Sequence, residues 1–219
     1  MPVTYPLSYA DFLGALPIQS ITMECPEVVE ASQTAGAEVL TSAIGNRYWQ
    51  GEVTLGRMQR HEKRDAQVLI DVARNAGASF FMTDVTQPYP LTDEGGVAVA
   101  GSAPKIVSLP SDARQMGLLG LPANFVLRRG DYLSFAYRSN PVRYALHRVV
   151  DQTVTASPTG VTQNFEVLPP LQPGAALTAP VQLIRPFCKA VIIPGSVQPG
   201  RTTRFITEGM SFRFMQTLR

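Results

Sequence analysis

The sequence predicts a mainly β protein with one long helix. Three observations lead there. Short apolar runs recur along the chain, separated by turn residues. Eighteen prolines and seventeen glycines are spread throughout as punctuation, not gathered into a linker. A single segment, residues 58–76, changes to the helical period.

The elements follow in order. Residues 18–25, IQSITMEC, read as the first strand. VVEASQTAGAEVL (28–40) is small and polar and reads as a loop between strands. RYWQGEVTL (47–55) is a strand with Trp49, Gly51, Val53 and Leu55 on one face. In the helix, Ala66, Leu69, Ile70, Ala73 and Ala76 fall at 3,4 spacing and make one apolar face, and Gly77 is placed to end it. ASFFMTD (78–84) returns to a strand, and QPYP (87–90) turns the chain away.

A second unit begins near Gly95-Gly96. VAVAG, KIVSL, DYLSFAY, YALHRVV, QNFEVL and VQLI are six short strand candidates before Pro186, the content of a small closed or half-open barrel. CKAVIIPG (188–195) and EGMSFRFMQTL (208–218) are two more strands. In the last, Met210, Phe212 and Phe214 share a face. Buried together, they would tie the end of the chain to strands from the first 95 residues.

Composition bounds the function. At 219 residues the chain holds one large or two small domains. Hydrophobic residues make up 45%, enough for a core, whereas charged residues are 16% against roughly 25% in an average soluble protein. So thin a charge favours a surface that is covered in an oligomer. The net charge of +2, with basic residues scattered, gives no electrostatic case for nucleic-acid binding. Cys25 and Cys188 are far apart in sequence and form no CxxC, so two reduced, buried thiols are expected. No run approaches the ~20 apolar residues of a membrane span. The start, MPVTYPLSYADF, lacks a signal peptide's basic region, so folding in a reducing cytoplasm is expected.

Chemistry-bearing constellations are sparse. His61 and His147 have no second ligand at HxH or HxxxH spacing, so structural or surface roles are expected for both. Asp93-Glu94 beside two glycines reads as a solvated turn. Arg129-Gly130-Asp131 reads as a turn entering a strand, with an integrin-type ligand as its alternative. Arg57, Arg60, Lys63 and Arg64 interleave with Glu62 and Asp65 as a salt-bridged helix face, with phosphate binding as the alternative. Trp49 reads as core, with a carbohydrate platform as the alternative. No GxSxG, GxxxxGK[ST] or GxGxxG occurs. No catalytic, cofactor-binding or metal-binding residue is assigned, no cofactor is expected, and the chain does not read as an enzyme.

Three stretches carry a resemblance: YPLSYADFLGALPIQSITM (5–23); YWQGEVTL, the helix and GASFFMTDVTQPYP (48–90); and GLPANFVLRRGDYLSF, HRVV, FEVLPPLQPG, VQLIRPFCKAVIIPGS and EGMSFRFMQTL. In this order they resemble the distal tail proteins of long-tailed, non-contractile bacteriophages and related prophage or gene-transfer-agent tails. The loop at 28–46 lies outside the likeness. The resemblance implies a β-sandwich-like ring, or belt, domain built from 1–95 with its helix at 58–76 and completed by 188–219. It makes 96–187 an inserted barrel of the oligonucleotide/oligosaccharide-binding kind. It further implies a homohexameric ring between tail tube protein and tail-tip hub proteins, in the virion tail after assembly in the host cytoplasm, with DNA only as passing cargo and no membrane insertion. Other readings are a different tail-tip or hub component, or a carbohydrate- or receptor-binding module. The last would need solvent-facing aromatics among Phe125, Tyr132, Phe135, Tyr137 and Tyr144.

Overall fold

In the computed structural model, which describes residues 3–219, the chain is mainly β. A seven-stranded antiparallel sheet is built from both ends of the sequence. Its strands are β1 (Ile18–Glu24), β4 (Gln50–Leu55), β5 (Met58–Gln59), β6 (Phe80–Thr83), β15 (Phe187–Ile192), β16 (Gln198–Thr202) and β17 (Ile206–Gln216). The path runs β1-β4-β17-β15-β6, and β16 and β5 pair with the first part of β17. The C-terminal strand is thus central. Phe212 lies opposite Val53 and Phe214 opposite Gly51. Met210, Phe212 and Phe214 are buried, and Phe12 and Phe80 pack against Phe212 with ring centroids at 5.8 and 6.5 Å. Gly51 is required by close approach: a Cβ there would lie 1.8 Å from the Thr22 carbonyl oxygen.

Helix α1 (Arg60–Ala73) covers this core with Ala66, Ile70 and Ala73. It is shorter than the 58–76 expected. Met58 and Gln59 are drawn into the sheet opposite Thr207 and Ile206, and the Gln59 amide is capped by Glu62 at 2.7 Å. At the other end Ala76 is exposed, and Gly77 takes a φ of 81° that suits the helix exit.

The second sheet comprises β7 (Lys105–Ser108), β8 (Gln115–Leu119), β10 (Tyr132–Tyr137), β11 (Arg143–Val149), β13 (Phe165–Leu168) and β14 (Val181–Gln182), in the order β14-β10-β11-β13-β8-β7. The ends nearly meet. Lys105 bridges Pro180, and the Val181 amide donates to the Pro104 carbonyl at 2.8 Å. This near-closure wraps a second core that includes Ile106, Leu118, Leu133, Phe135, Phe165 and Val167. A small pair, β9 (Val126–Arg128) with β12 (Thr153–Thr155), caps it.

Two expectations are corrected. VAVAG forms no strand. Val97–Ala100 is one helical turn, α2, because the Asp93 carboxylate accepts from the amides of Ala98 and Val99 at 3.0 and 2.9 Å; the cap outweighs the β preference of valine. The segment 28–40 is no loop. β2 (Val29–Gln33) and β3 (Val39–Ala43) form a hairpin closed by Thr34 and Glu38, whose amide and carbonyl meet at 2.9 Å. Its ladder is made by backbone groups, so its small polar side chains left no alternation to read. Beyond these, β9, β12 and β16 are too short or too polar to have been singled out in the sequence, and β8 was missed although Met116 and Leu118 alternate about Gly117.

The two sheets meet along a mixed seam. The Trp49 indole donates to the Leu146 carbonyl at 2.7 Å, the Gln216 side chain to the Tyr144 carbonyl at 3.2 Å, and the Phe187 amide to the Ser134 hydroxyl at 3.1 Å. Phe81, Tyr144 and Phe187 pack together at tilted and edge-on angles, and Tyr132 and Leu146 contribute to the first core.

Candidate functional site

The β2–β3 hairpin is the part of the fold least explained by its own packing. Its strands pair only with each other. Every residue of β3 is exposed, and β2 is exposed apart from half-buried Val29. Val39 and Leu40 are 62% and 51% exposed on opposite faces, and Ile44, just past the strand, is 64% exposed. At ~3.3 Å per residue, its five-residue strands run roughly 17 Å. Two strands alone are marginally stable in water, so such an arm gains most when another surface covers it. The hairpin itself carries Glu30 and Glu38 and no lysine or arginine; Glu27 at its base pairs with Arg47 at 3.6 Å. A second, shorter projection, the β16–β17 turn, presents Phe205 at 70% exposure beside the Arg204 guanidinium.

The residues singled out in the sequence lie elsewhere and do not converge. His147 is fully buried in the barrel, stacked on Phe135 at 5.4 Å. Its Nδ1 donates to the Pro169 carbonyl at 2.7 Å, which leaves Nε2 as an unpaired acceptor. Burial pushes its pKa down from 6.5 to about 4. His61 is exposed on α1. The RGD aspartate is not free: Asp131 is buried and accepts from the amides of Leu91 and Arg128 at 2.9 and 2.7 Å. Asp93 is buried as the α2 cap, against the solvated turn expected; Glu94 beside it is exposed.

The basic helix face pairs differently from the pattern expected. Arg57 reaches Glu208 on β17 at 2.7 Å, Lys63 donates to Thr202, and Glu62 is spent on the cap. Trp49 is 1% exposed, packed edge-on to Tyr132, with the Arg148 guanidinium over both rings. Phe125, Tyr132, Phe135 and Tyr137 are all buried, and Tyr144 is half-buried in the seam. They present no stacking platform to solvent. Cys188 is buried and Cys25 half-buried; burial raises the Cys25 thiol to about 11, which keeps it unreactive at neutral pH. Among the described residues no three His, Cys, Asp or Glu side chains gather as metal ligands, and no helix is long and apolar enough to cross a membrane.

Sequence reasoning missed the arm. The legible signal was indirect: a stretch with four glutamates and no cation, containing a Val-Leu pair with no core to join. No protein-family model matches the chain, and no curated protein matches it.

Proposed function

We propose that the chain is a structural component of a bacteriophage tail tip, a distal tail protein that forms a ring joining the tail tube to the tail-tip hub or baseplate. The observation that carries the reading is the unsupported hairpin arm, with Val39, Leu40 and Ile44 exposed on a two-stranded element that buries almost nothing of its own. A closed ring repeats one heterologous interface, in which an arm of one subunit meets a different surface of the next. The 16% charge fraction and the ordered tail-tip resemblance favour the same reading.

In this proposal residues 1–95 and 188–219 make a β-sandwich-like belt domain, and 96–187 is an inserted barrel resembling the oligonucleotide/oligosaccharide-binding kind. The separate second core and the near-closure of its sheet support that division. So does the chain path. The Arg185 amide donates to the Pro88 carbonyl at 2.7 Å, and Ile184 lies against Gly96, so the segment leaves and returns at one place. The protein acts as a non-catalytic adaptor of six copies, assembled in the host cytoplasm and carried in the virion tail, with tube and hub proteins as neighbours and DNA passing through. Electron microscopy of assembled particles, with an antibody fragment or tag on this chain, tests the reading. Label at a ring between tube and tip is the expected result; label elsewhere, or none on the particle, overturns it.

A further inference from the structure

A cavity of about 620 Å³ opens where the β10–β11 turn, the end of β17 and the entry to β4 come together, lined by Asn46, Tyr48, Arg138, Arg143, Gln172 and Arg219 among others. Three arginines line it and no carboxylate side chain does. Among the described residues the ion pairs are Arg47 with Glu27, Arg57 with Glu208 and Arg74 with Asp71, so none of these three arginines has an acidic side-chain partner. The Lys189 ammonium, not an arginine, holds the Arg219 backbone oxygen at 2.6 Å.

One buried polar atom of the lining lacks an acceptor, and a second lies behind it. Arg143 Nε has no acceptor. The hydroxyl of Tyr137, a residue only 4% exposed, forms no hydrogen bond of good geometry; Arg143 is the neighbour placed to donate to it, with Arg138 and Tyr48 close by. Buried donors left unpaired are uncommon and mark a place where a partner is missing. Arg138 is held in position. Its backbone takes a φ of 59°, its Nε donates to the Pro173 carbonyl at 3.2 Å, and its stem crosses Gly174, where a Cβ would come within 2.9 Å of its Cγ. Guanidinium groups are planar donors suited to carboxylate and phosphate oxygens, and they keep their charge at any working pH.

We propose that this cavity is an oxyanion site that takes a carboxylate or phosphate group between the guanidinium groups of Arg138, Arg143 and Arg219. The inference does not rest on the tail-tip reading. The shared chemistry has two sources: a free oxyanion in solution, or Glu30 or Glu38 of the β2–β3 arm of a second copy, whose charge complements the cavity.

Calorimetry and thermal melting of the full chain, titrated with inorganic phosphate against chloride of matched ionic strength, test the site. Saturable heat and a Tm rise of about 2–4 °C at phosphate well above Kd are expected. Both should vanish in Arg143→Gln and in Arg138→Gln; the second side chain is exposed, so that variant keeps the test valid if the first fails to fold. Sedimentation of Glu30→Gln/Glu38→Gln and of the arginine variants separates the sources. Self-association weakened about tenfold or more by either set, and competed by phosphate, assigns the occupant to the arm. Association unchanged, with the phosphate response intact, assigns it to a free oxyanion. A phosphate response no larger than that to chloride, together with association indifferent to the arginine variants, overturns the proposal.

Discussion

His147 shows how one buried atom sets a pH dependence. Its Nδ1 proton is committed to the Pro169 carbonyl, so acid would place a proton on Nε2, which has no acceptor. Above pH 6.5 the ring is neutral in both folded and unfolded chains. Between 6.5 and about 4 the unfolded chain takes up a proton that the folded one refuses. The unfolded state then binds more protons, so stability falls as pH falls through that window. The loss is on the order of 3 kcal/mol for a shift of this size. Urea melts of wild type and His147→Gln between pH 7 and 4 check it. The variant should be less stable at pH 7 and lose less on acidification; identical slopes would remove the histidine as the cause. The sequence offered His147 only as a strand residue between Ala145 and Val149. Its lack of a metal or catalytic partner was legible from spacing. Its unpaired nitrogen was not, because that depends on which atoms of β10 and of the turn at Pro169 close over it.

At the scale of elements, β17 and the β2–β3 arm make opposite predictions. β17 lies between β4 and β15, and Phe212 is 0% exposed. Phe212→Ala should cost about 3–5 kcal/mol, and deletion of 208–219 should leave no cooperative melt of the first core. Unchanged melting of either variant would mean that the strand is an external arm. The β2–β3 arm buries so little that replacing 29–43 with a short Gly-Ser turn should move stability by no more than about 1 kcal/mol. The same change should abolish self-association, read by mass photometry. A folded variant that still forms the same oligomer would leave the arm without that role. The contrast was half visible in the sequence. Met210, Phe212 and Phe214 alternate as a buried face must, so β17 could be placed. The arm has no buried face, and nothing in a run of small polar residues separates a projecting hairpin from a loop.

Across the whole molecule, the barrel leaves and rejoins the chain at one place, where Ile184 lies against Gly96. Replacing 96–187 with a short flexible linker should therefore leave the first sheet able to fold. It also removes the Leu146 carbonyl that receives the Trp49 indole, and Tyr132, which packs on the same ring. The shortened chain should melt cooperatively but several degrees lower, and Trp49 fluorescence should shift to the red. Loss of any cooperative transition, with the 96–187 fragment also unfolded alone, would mean one continuous fold, since a unit with its own core folds by itself.

What the sequence determined by itself is local. Period-2 runs ending at Pro and Gly gave the β class, and the 3,4 spacing from Ala66 to Ala73 gave the helix and its buried face. Both follow from side-chain direction, which repeats along a single element whatever packs against it. Tertiary structure decided the rest. It made the last strand central, drew Met58 and Gln59 out of the helix into the sheet, and turned VAVA into a capped helical turn. It also brought Arg138 and Arg143 of the β10–β11 turn together with the distant Arg219 around one cavity. These outcomes depend on which distant backbone groups and charges meet, and no periodicity within a segment encodes the partner it will meet.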